Sequence, residues 1–598
     1  MRVADFIFKT LADTGVQDVF MISGGGAMFL NDALGQEKRI RTVCTHHEQG
    51  AAIAAEGYAR TTGKLAVASV TTGPGGTNAI TGVIGGWLDS IPILFISGQV
   101  KFATCLASRP GLPLRQLGDQ EINIVDIVRP ITKYAVMVTD PKQIRYELEK
   151  AMHIAMTGRK GPVWLDIPIN IQSAEINENE LVGYVPEPEE NEIPETQIHS
   201  VFRKFLSAKS PVLVAGHGIR LADATGILDQ LIERLNIPVL TTFEGFDMIP
   251  TDSPCFAGRI GTIGSRAGNI VLQNADFVLC VGTRNNIRQV SYNYENFAKH
   301  AETVAVVDID PAELQKNTIR ITDPICCDAG IFLKEFLALS GSSPLPDFSD
   351  WLKWSIERER KYSVLPEEKS GESGINPYHF TRILTEKLPE KAIVSCTNAT
   401  PSLALFQSGL VKKGQIMYCN SGCAAMGFGL PASLGGAVAA KNGELTICLE
   451  GDGSLMMNMQ ELQTIRHHNL NVKLFLYNNN EYCSIRQTQD NFFEGRHSGC
   501  DNGSGVTFPD WQILASAFQW KFETIRSVKE AEEKLDKILS TEGPVFVDVK
   551  LTPGYRFEPK LSSRKLADGT LVSASLEDMF PFLSDEEKKQ NIYQGKSL

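Results

Sequence analysis

Short apolar runs ending in glycine, asparagine or aspartate alternate with helix-spaced segments along almost the whole chain. In the first third, LAVASVTTGPGG and IPILFISGQV read as buried strands running into loops, and GPVWLDIPINIQ as the closing strand. The middle third repeats the rhythm in SPVLVAGHGIR, NIPVLTT, ADFVLCVGTR and TVAVVDIDP, and the last third in KAIVSC, ELTICLEGDGS, VKLFLYNNN and GPVFVDVKL. Strands that are apolar on both faces, separated by helical patterns, predict α/β architecture with doubly wound parallel sheets.

Two polar stretches interrupt the rhythm. Residues 173–197 are rich in Glu, Asn and Pro and read as a linker; SGSSPLPDFSD through PEEKSGESGINP reads as a second. A chain of 598 residues exceeds one hydrophobic core, so three domains of about 150–200 residues are expected. The boundaries fall at 1–172, 196–338 and 376–555, with a tail over 556–598. That tail lacks a strand–helix rhythm and is expected to wrap over the surface or an active site.

Composition narrows the partners. The formal net charge is −12 and no Lys/Arg block offsets it, which argues against nucleic acid and anionic membrane surfaces. The 12 cysteines form no CxxC pair, a pattern of buried thiols in a reducing compartment. The N-terminal MRVADFIFKTLADTGVQDVF has amphipathic helix spacing broken by Asp5 and Asp13. It is neither signal nor transit peptide, and no apolar run reaches membrane-spanning length. A cytoplasmic protein is expected.

Chemistry concentrates in two places. LTICLEGDGSLMMNMQELQTIRHHNLNVKLFLYNNNEY is one βαβ unit whose right-handed crossover brings both strand ends to one sheet edge. Asp452 and Asn479 then offer a carboxylate and an amide oxygen to one point, a fitting partial shell for Mg²⁺. Gly451, Gly453 and Ser454 open a helix N-terminus that favours a phosphate. Taken alone, GDG and NNN are also ordinary turn residues. Upstream of the unit, SGCAAMGFGLPASLGGAVAA reads as a glycine-rich loop into a helix of small side chains, suited to a flat ligand or to tight packing. Met426 is its apolar wedge. The second place is THHEQGAAIAAEGYAR, where His46, His47 and Glu48 look like metal ligands. Consecutive helical residues point about 100° apart, and no HExxH spacing gathers them on one face. Glu48 remains as a single proton handle. His467 and His468 read as surface or packing residues.

With HEQGAAIAAEGYAR, TTGPGGTNAITGV, DSIPILFISGQV, RPITKY, GPVWLDIP, AVVDIDPAELQKN, MGFGLPA and GDGS…NN in order, the chain resembles the thiamine diphosphate (ThDP) enzymes of the acetolactate synthase group, over nearly its whole length. The resemblance implies a pyrimidine-binding, a middle and a diphosphate-binding domain, and an active site between two chains of a homodimer or homotetramer. Mg²⁺ and the diphosphate would sit on Asp452, Asn479 and the backbone carbonyl of Glu481, with Gly25, Gly73 and Asn78 also at the cofactor. Met426 matches the residue that props the cofactor bent. Glu48 matches the glutamate that reaches the pyrimidine ring from the partner chain, where a shared proton promotes the imino tautomer and loss of the thiazolium C2 proton. Burial among Ala51, Ala52 and Ala54 favours its neutral form and a helix N-terminus opposes it. Gln120 matches a catalytic position near the reacting carbons, and Lys133 a position in the first domain.

FAD is implied by Arg129, the Gly216-His217-Gly218 turn, Arg284, Arg288, Asp308 and Asp328. His217 would touch the flavin or cap the turn. Relatives carry FDD where this chain has Asn285, Asn286 and Ile287. On the acceptor side they carry Phe-Gln-Glu, Met and Trp where this chain has Asp119-Gln120-Glu121, Ser484 and Thr488. Fewer apolar groups and more hydrogen-bonding ones favour a larger, more polar acceptor. The tail also looks like that of carboligases acting on nucleotide-linked keto-sugars. The expectation is a ThDP/Mg²⁺ carboligase that decarboxylates pyruvate and transfers the two-carbon unit to a ketone, a 2-oxo acid or a keto-sugar nucleotide. The alternatives are a true acetolactate synthase, a 2-oxo acid decarboxylase, a flavin oxidase, or a non-catalytic cofactor-binding subunit.

Overall fold

The computed structural model describes the chain except residues 188–192, 363, 368–372, 441–442, 566–567, 569 and 596–598. Three six-stranded sheets, parallel throughout, follow one another along the chain. The first holds β1 (Asp18–Met21), β2 (Arg41–Cys44), β3 (Ala66–Val70), β4 (Ile93–Gln99), β5 (Tyr134–Met137) and β6 (Val163–Pro168), in the order β2-β1-β3-β4-β6-β5. The second holds β7 (Pro211–Ala215), β8 (Val239–Thr241), β9 (Phe256–Arg259), β10 (Phe277–Val281), β11 (Thr303–Asp308) and β12 (Asp323–Cys326), ordered β12-β11-β10-β7-β8-β9. The third holds β13 (Ile393–Cys396), β14 (Ile416–Cys419), β15 (Thr446–Gly451), β16 (Val472–Asn478), β17 (Lys521–Ile525) and β18 (Val545–Lys550), ordered β14-β13-β15-β16-β18-β17. The doubly wound α/β expectation holds. Each sheet has a point where the strand order reverses, and ligands bind in the crevice outside the strand ends there.

The polar stretches differ from expectation. Part of the 173–197 linker, residues 188–192, lies outside the described residues, as do residues 363 and 368–372 of the second stretch. That second stretch also contains the helix Ser349–Lys361, which buries Trp351 and stacks it on Trp354 at 5.2 Å. The apolar side chains are few but fall on one face, enough to dock a helix. The tail docks on the middle unit: Arg266 donates to the carbonyls of Met579 (3.1 Å) and Pro581 (2.5 Å). It carries a small hairpin, Ser563–Lys565 with Leu571–Ser573, and the helix Asp585–Gln590.

The small residues around Glu48 and in the 421–440 segment serve one close helix crossing. The helix Glu48–Thr62 lies on the helix Gly429–Ala439 with Gly57 over Ala432 and Gly435 over Ala54. A β-carbon at Gly435 would overlap the Ala54 carbonyl oxygen, which is backbone and cannot swing away. The helix half of the segment is therefore packing, and only the loop before it remains for a ligand. Gly435→Ala should cost about 3 kcal/mol in chemical denaturation; an unchanged midpoint would contradict this packing.

Candidate active site

The metal-type residues converge as the crossover requires. Strands β15 and β16 pair in parallel, so Asp452 and Asn479 emerge side by side at one edge. The Asp452 carboxylate is buried and accepts N–H groups from Gly453 (2.8 Å), Asn479 (3.2 Å) and Asn480 (2.6 Å). Burial pushes its pKa up to about 7, against the pull of these N–H groups, and no cationic side chain contributes. A buried carboxylate with no counter-cation among the described residues, beside amide and carbonyl oxygens, is a donor set that suits a hard divalent ion.

The neighbours of Asp452 are fixed by specific contacts. Asn478 is spent on Asp548, at 2.8 Å. The amide nitrogen of Asn479 donates to the Tyr555 hydroxyl at 2.8 Å, and its oxygen accepts from the Glu481 N–H at 3.3 Å. Gly453 is the glycine that sterics demand, because the Tyr482 ring lies where its β-carbon would be; a β-carbon at Gly451 would meet only the Ser454 β-carbon, at 4.0 Å. The Ser454 hydroxyl bonds Thr397 (2.6 Å) and the Gly427 N–H (2.7 Å), which holds the half-buried Met426 loop against the start of the helix Asp452–Asn458.

Glu48 is the first residue of its helix, not the third of three helical ligands. His47 is the N-cap, its Nδ1 accepting from the Gln49 N–H at 3.1 Å. The buried Glu48 carboxylate accepts from the Asn78 amide at 3.0 Å. Asn78 thus orients Glu48. The Thr71 hydroxyl is buried without a partner where Gly24, Gly26 and Gly75 crowd it, and Gly75 also faces Glu48. A buried hydroxyl with no partner among the described residues, across Gly75 from a carboxylate, is what a polar ring edge would complete. Gly25 itself faces open space; its neighbours make the close approaches. Gly73 takes φ 62° because the Gln120 carbonyl covers it, and the exposed Gln120 takes φ 61°. Glu121 is structural: its carboxylate accepts the N–H groups of Leu117 (3.1 Å) and Gly118 (3.0 Å). So is Lys133, which donates to the Thr157 carbonyl at 2.6 Å. The Thr488 hydroxyl is spent on the Ser484 carbonyl at 2.9 Å, within one helix. His467 and His468 lie at or near the surface, as expected.

A second centre lies at the strand-order reversal of the middle sheet, between β7 and β10. A cavity of 620 Å³ there is lined by His217, Gly218, Arg284, Arg288, Asp308 and Asp328 among others. Gly216 and Gly218 press on Gly282, which brings the turns after β7 and β10 together. The Nε2 of His217 is buried without a partner, and burial with the positive charges of Arg60, Arg220 and Lys160 holds the ring neutral. An orphaned ring nitrogen in a cavity with arginines and carboxylates fits an extended anionic nucleotide. Asp328 spends one oxygen capping the next helix, on the Gly330 N–H at 2.8 Å. Arg129 is not brought here; it pairs with Asp126 at 2.8 Å on the exposed surface of the first unit. Asn285 and Asn286 bond Gln289 and cap a short helix.

Sequence reasoning missed the charge cluster where the three units meet. Arg60 is buried with Glu56 (2.8 Å), Asp89 (2.6 Å) and Glu244 (3.2 Å), one arginine to three carboxylates. Burial raises Glu56 and Glu244 to about 7 despite the arginine. Asp89 and Glu244 also line the cavity, as do Arg159 and Lys160. The adjacent Arg-Lys pair in TGRKGP was a signal for the basic side of the cavity; Arg60 and its carboxylates had none.

Residues 1–126, 198–336 and 401–549 match family models described as thiamine pyrophosphate enzyme N-terminal binding, central and C-terminal binding domains. The chain is 31% identical over 560 residues to the acetolactate synthase large subunit of Lactococcus lactis, covering 93% of this chain and 94% of that one. It is 33% identical over 569 residues to an acetolactate synthase of Arthrospira platensis (91% and 93% covered). A probable acetolactate synthase large subunit of Methanocaldococcus jannaschii is 31% identical over 570 residues (92% of each).

Proposed function

Because the chain belongs to the acetolactate synthase family of ThDP-dependent, carbon–carbon bond-forming enzymes, we propose that it decarboxylates pyruvate and joins the two-carbon unit to a second 2-oxo acid. The names of the relatives support that acceptor. The observation that carries the reading is the pair of buried carboxylates, Asp452 with no cationic partner among the described residues and Glu48 oriented by Asn78, with the unpartnered Thr71 side chain on the other side of Gly75.

When bound, ThDP supplies a nucleophilic carbon that adds to a 2-oxo acid carbonyl and accepts the electrons released with CO₂. The residues supply the rest. Asp452, the Asn479 side-chain oxygen and the Glu481 carbonyl would hold Mg²⁺. The helix N-terminus at Gly453 and Ser454 receives the diphosphate. Met426, in its loop, would lie beside the bound cofactor, and Gly73 and Gln120 near the reacting carbons. Glu48, oriented by Asn78, holds and returns a proton at the pyrimidine ring nitrogen. Its burial excludes water from that exchange. The proposed organisation is 1–172, 196–338 and 376–555 with a tail over 556–598, two or four copies, and each site drawing Glu48 and Asp452 from different copies. No helix among the described residues is long and apolar enough to cross a membrane; a cytoplasmic location is proposed with it.

The middle cavity is proposed to hold FAD, with Arg284 and Arg288 toward its phosphates and Gly216, Gly218, Asp308 and Asp328 around the turns. Purified protein should be yellow, and Arg284→Ala with Arg288→Ala should weaken flavin binding at least ~10-fold by flavin fluorescence. Colourless wild-type protein that takes up no FAD contradicts it. A keto-sugar nucleotide is a second acceptor reading, favoured by the half-buried Ser484 and exposed Thr488 standing where relatives carry Met and Trp. Product analysis with pyruvate, alone and with 2-oxo acids and keto-sugar nucleotides, tests both. Acetolactate from pyruvate alone supports the first; a branched sugar without acetolactate supports the second; free acetaldehyde alone rejects carboligation.

A further inference from the structure

The first turn of the Glu48 helix is held by a carboxylate from 415 residues away. Glu461 begins the helix Glu461–His467 and is fully buried. Its Oε1 accepts the His46 N–H at 3.1 Å, and its Oε2 accepts the Thr464 hydroxyl at 2.7 Å. The His47 N–H is also directed at it. Gly50 lies under the carboxylate, where a β-carbon would overlap Oε1. This accounts for the parts of HHEQG that the proton handle leaves unexplained. His46 and His47 present backbone N–H groups to Glu461, His47 caps the helix with its ring, and Gly50 makes room.

Glu461 also follows Asp452 by nine positions, on the second of two consecutive short helices. The segment that grips the metal and diphosphate therefore ends on the carboxylate that seats Glu48. Buried hydrogen bonds to a charged group are strong and costly to leave unmade. The Asp452 helix and the His46–Glu48 turn are thus joined through the next helix and the Glu461 carboxylate.

We propose that Glu461 is the positioning residue for Glu48, and that it ties the metal grip of one active site to the proton handle of the other. The second half rests on the proposed arrangement in which each site uses Glu48 and Asp452 from different copies. Within one chain, Glu461 then links two sites and belongs wholly to neither.

Hybrid dimers of two differently tagged chains separate this from a plain packing contact. In the first hybrid one chain carries Glu461→Ala and the other Asp452→Ala. The surviving grip faces a Glu48 whose own Glu461 is intact, and CO₂ release per surviving site should match wild type. In the second hybrid one chain carries both substitutions and the other none. The surviving grip now faces a Glu48 that has lost its support, and the rate should fall about 10²-fold, the usual cost of an ångström-scale misplacement. Equal rates in the two hybrids, or the reverse order, overturn the proposal, and a monomeric protein overturns its cross-site half. In cofactor-free protein, amide hydrogen exchange over residues 44–52 should rise in Glu461→Ala and less in Glu461→Gln, which keeps an acceptor oxygen. Unchanged exchange there rejects the positioning role. Wild-type protein that releases no CO₂ while these amides behave as expected would reject the proposed reaction and leave the contact standing.

Discussion

Asp452→Ala folds, and its Mg²⁺-dependent affinity for ThDP falls at least ~10²-fold, with CO₂ release from pyruvate falling further. The carboxylate is the single anionic oxygen donor of the proposed set; the other two are a neutral amide and a carbonyl. Mg²⁺ dehydrates reluctantly and depends on such a charge. Three N–H groups that now converge on Asp452 would be left to water, at a cost of about 1–3 kcal/mol. The melt should therefore stay cooperative at a lower midpoint. Asp452→Asn keeps an acceptor for those N–H groups and separates the structural from the ionic loss. Titration of protein fluorescence with ThDP at fixed Mg²⁺ checks this; unchanged affinity in both variants would remove Asp452 from the metal.

Glu48→Gln should have a different signature. The substituted side chain still offers an oxygen to the Asn78 amide, from which Glu48 accepts at 3.0 Å, so fold and ThDP affinity are retained. What it lacks is a carboxyl that takes and returns a proton, a contribution of about 10²–10⁴-fold. Exchange of the cofactor C2 hydrogen with deuterated solvent, followed by NMR after acid quench, should slow by that factor, and CO₂ release with it. Exchange at the wild-type rate would strip Glu48 of its role. The two variants together distinguish holding the cofactor from activating it.

Much of the fold was legible because inner strands of a parallel sheet are apolar on both faces. The apolar runs located β3, β4, β6, β7, β8, β10, β11, β13, β15, β16 and β18. The strands without such runs include all six at sheet edges: β2, β5, β9, β12, β14 and β17. Arg41–Cys44, Asp323–Cys326 and Lys521–Ile525 each bury only one residue fully, so burial wrote little into their sequence. At the site, Asp452 with Asn479 was legible because one βαβ crossover joins them and its handedness is fixed. Glu461 on the His46 N–H and Glu244 on Arg60 were not, since they join residues 415 and 184 positions apart with no local pattern to mark either partner. The small residues in 421–440 were legible as small but not as helix packing, because close approach to a ligand and to another helix makes the same demand on side-chain size.

The most direct test of the account is CO₂ release from pyruvate by the purified protein, with ThDP and Mg²⁺ supplied together, singly and not at all. Release is expected only when both are present. No release from pyruvate or any other 2-oxo acid with both present, or equal release without them, would contradict it.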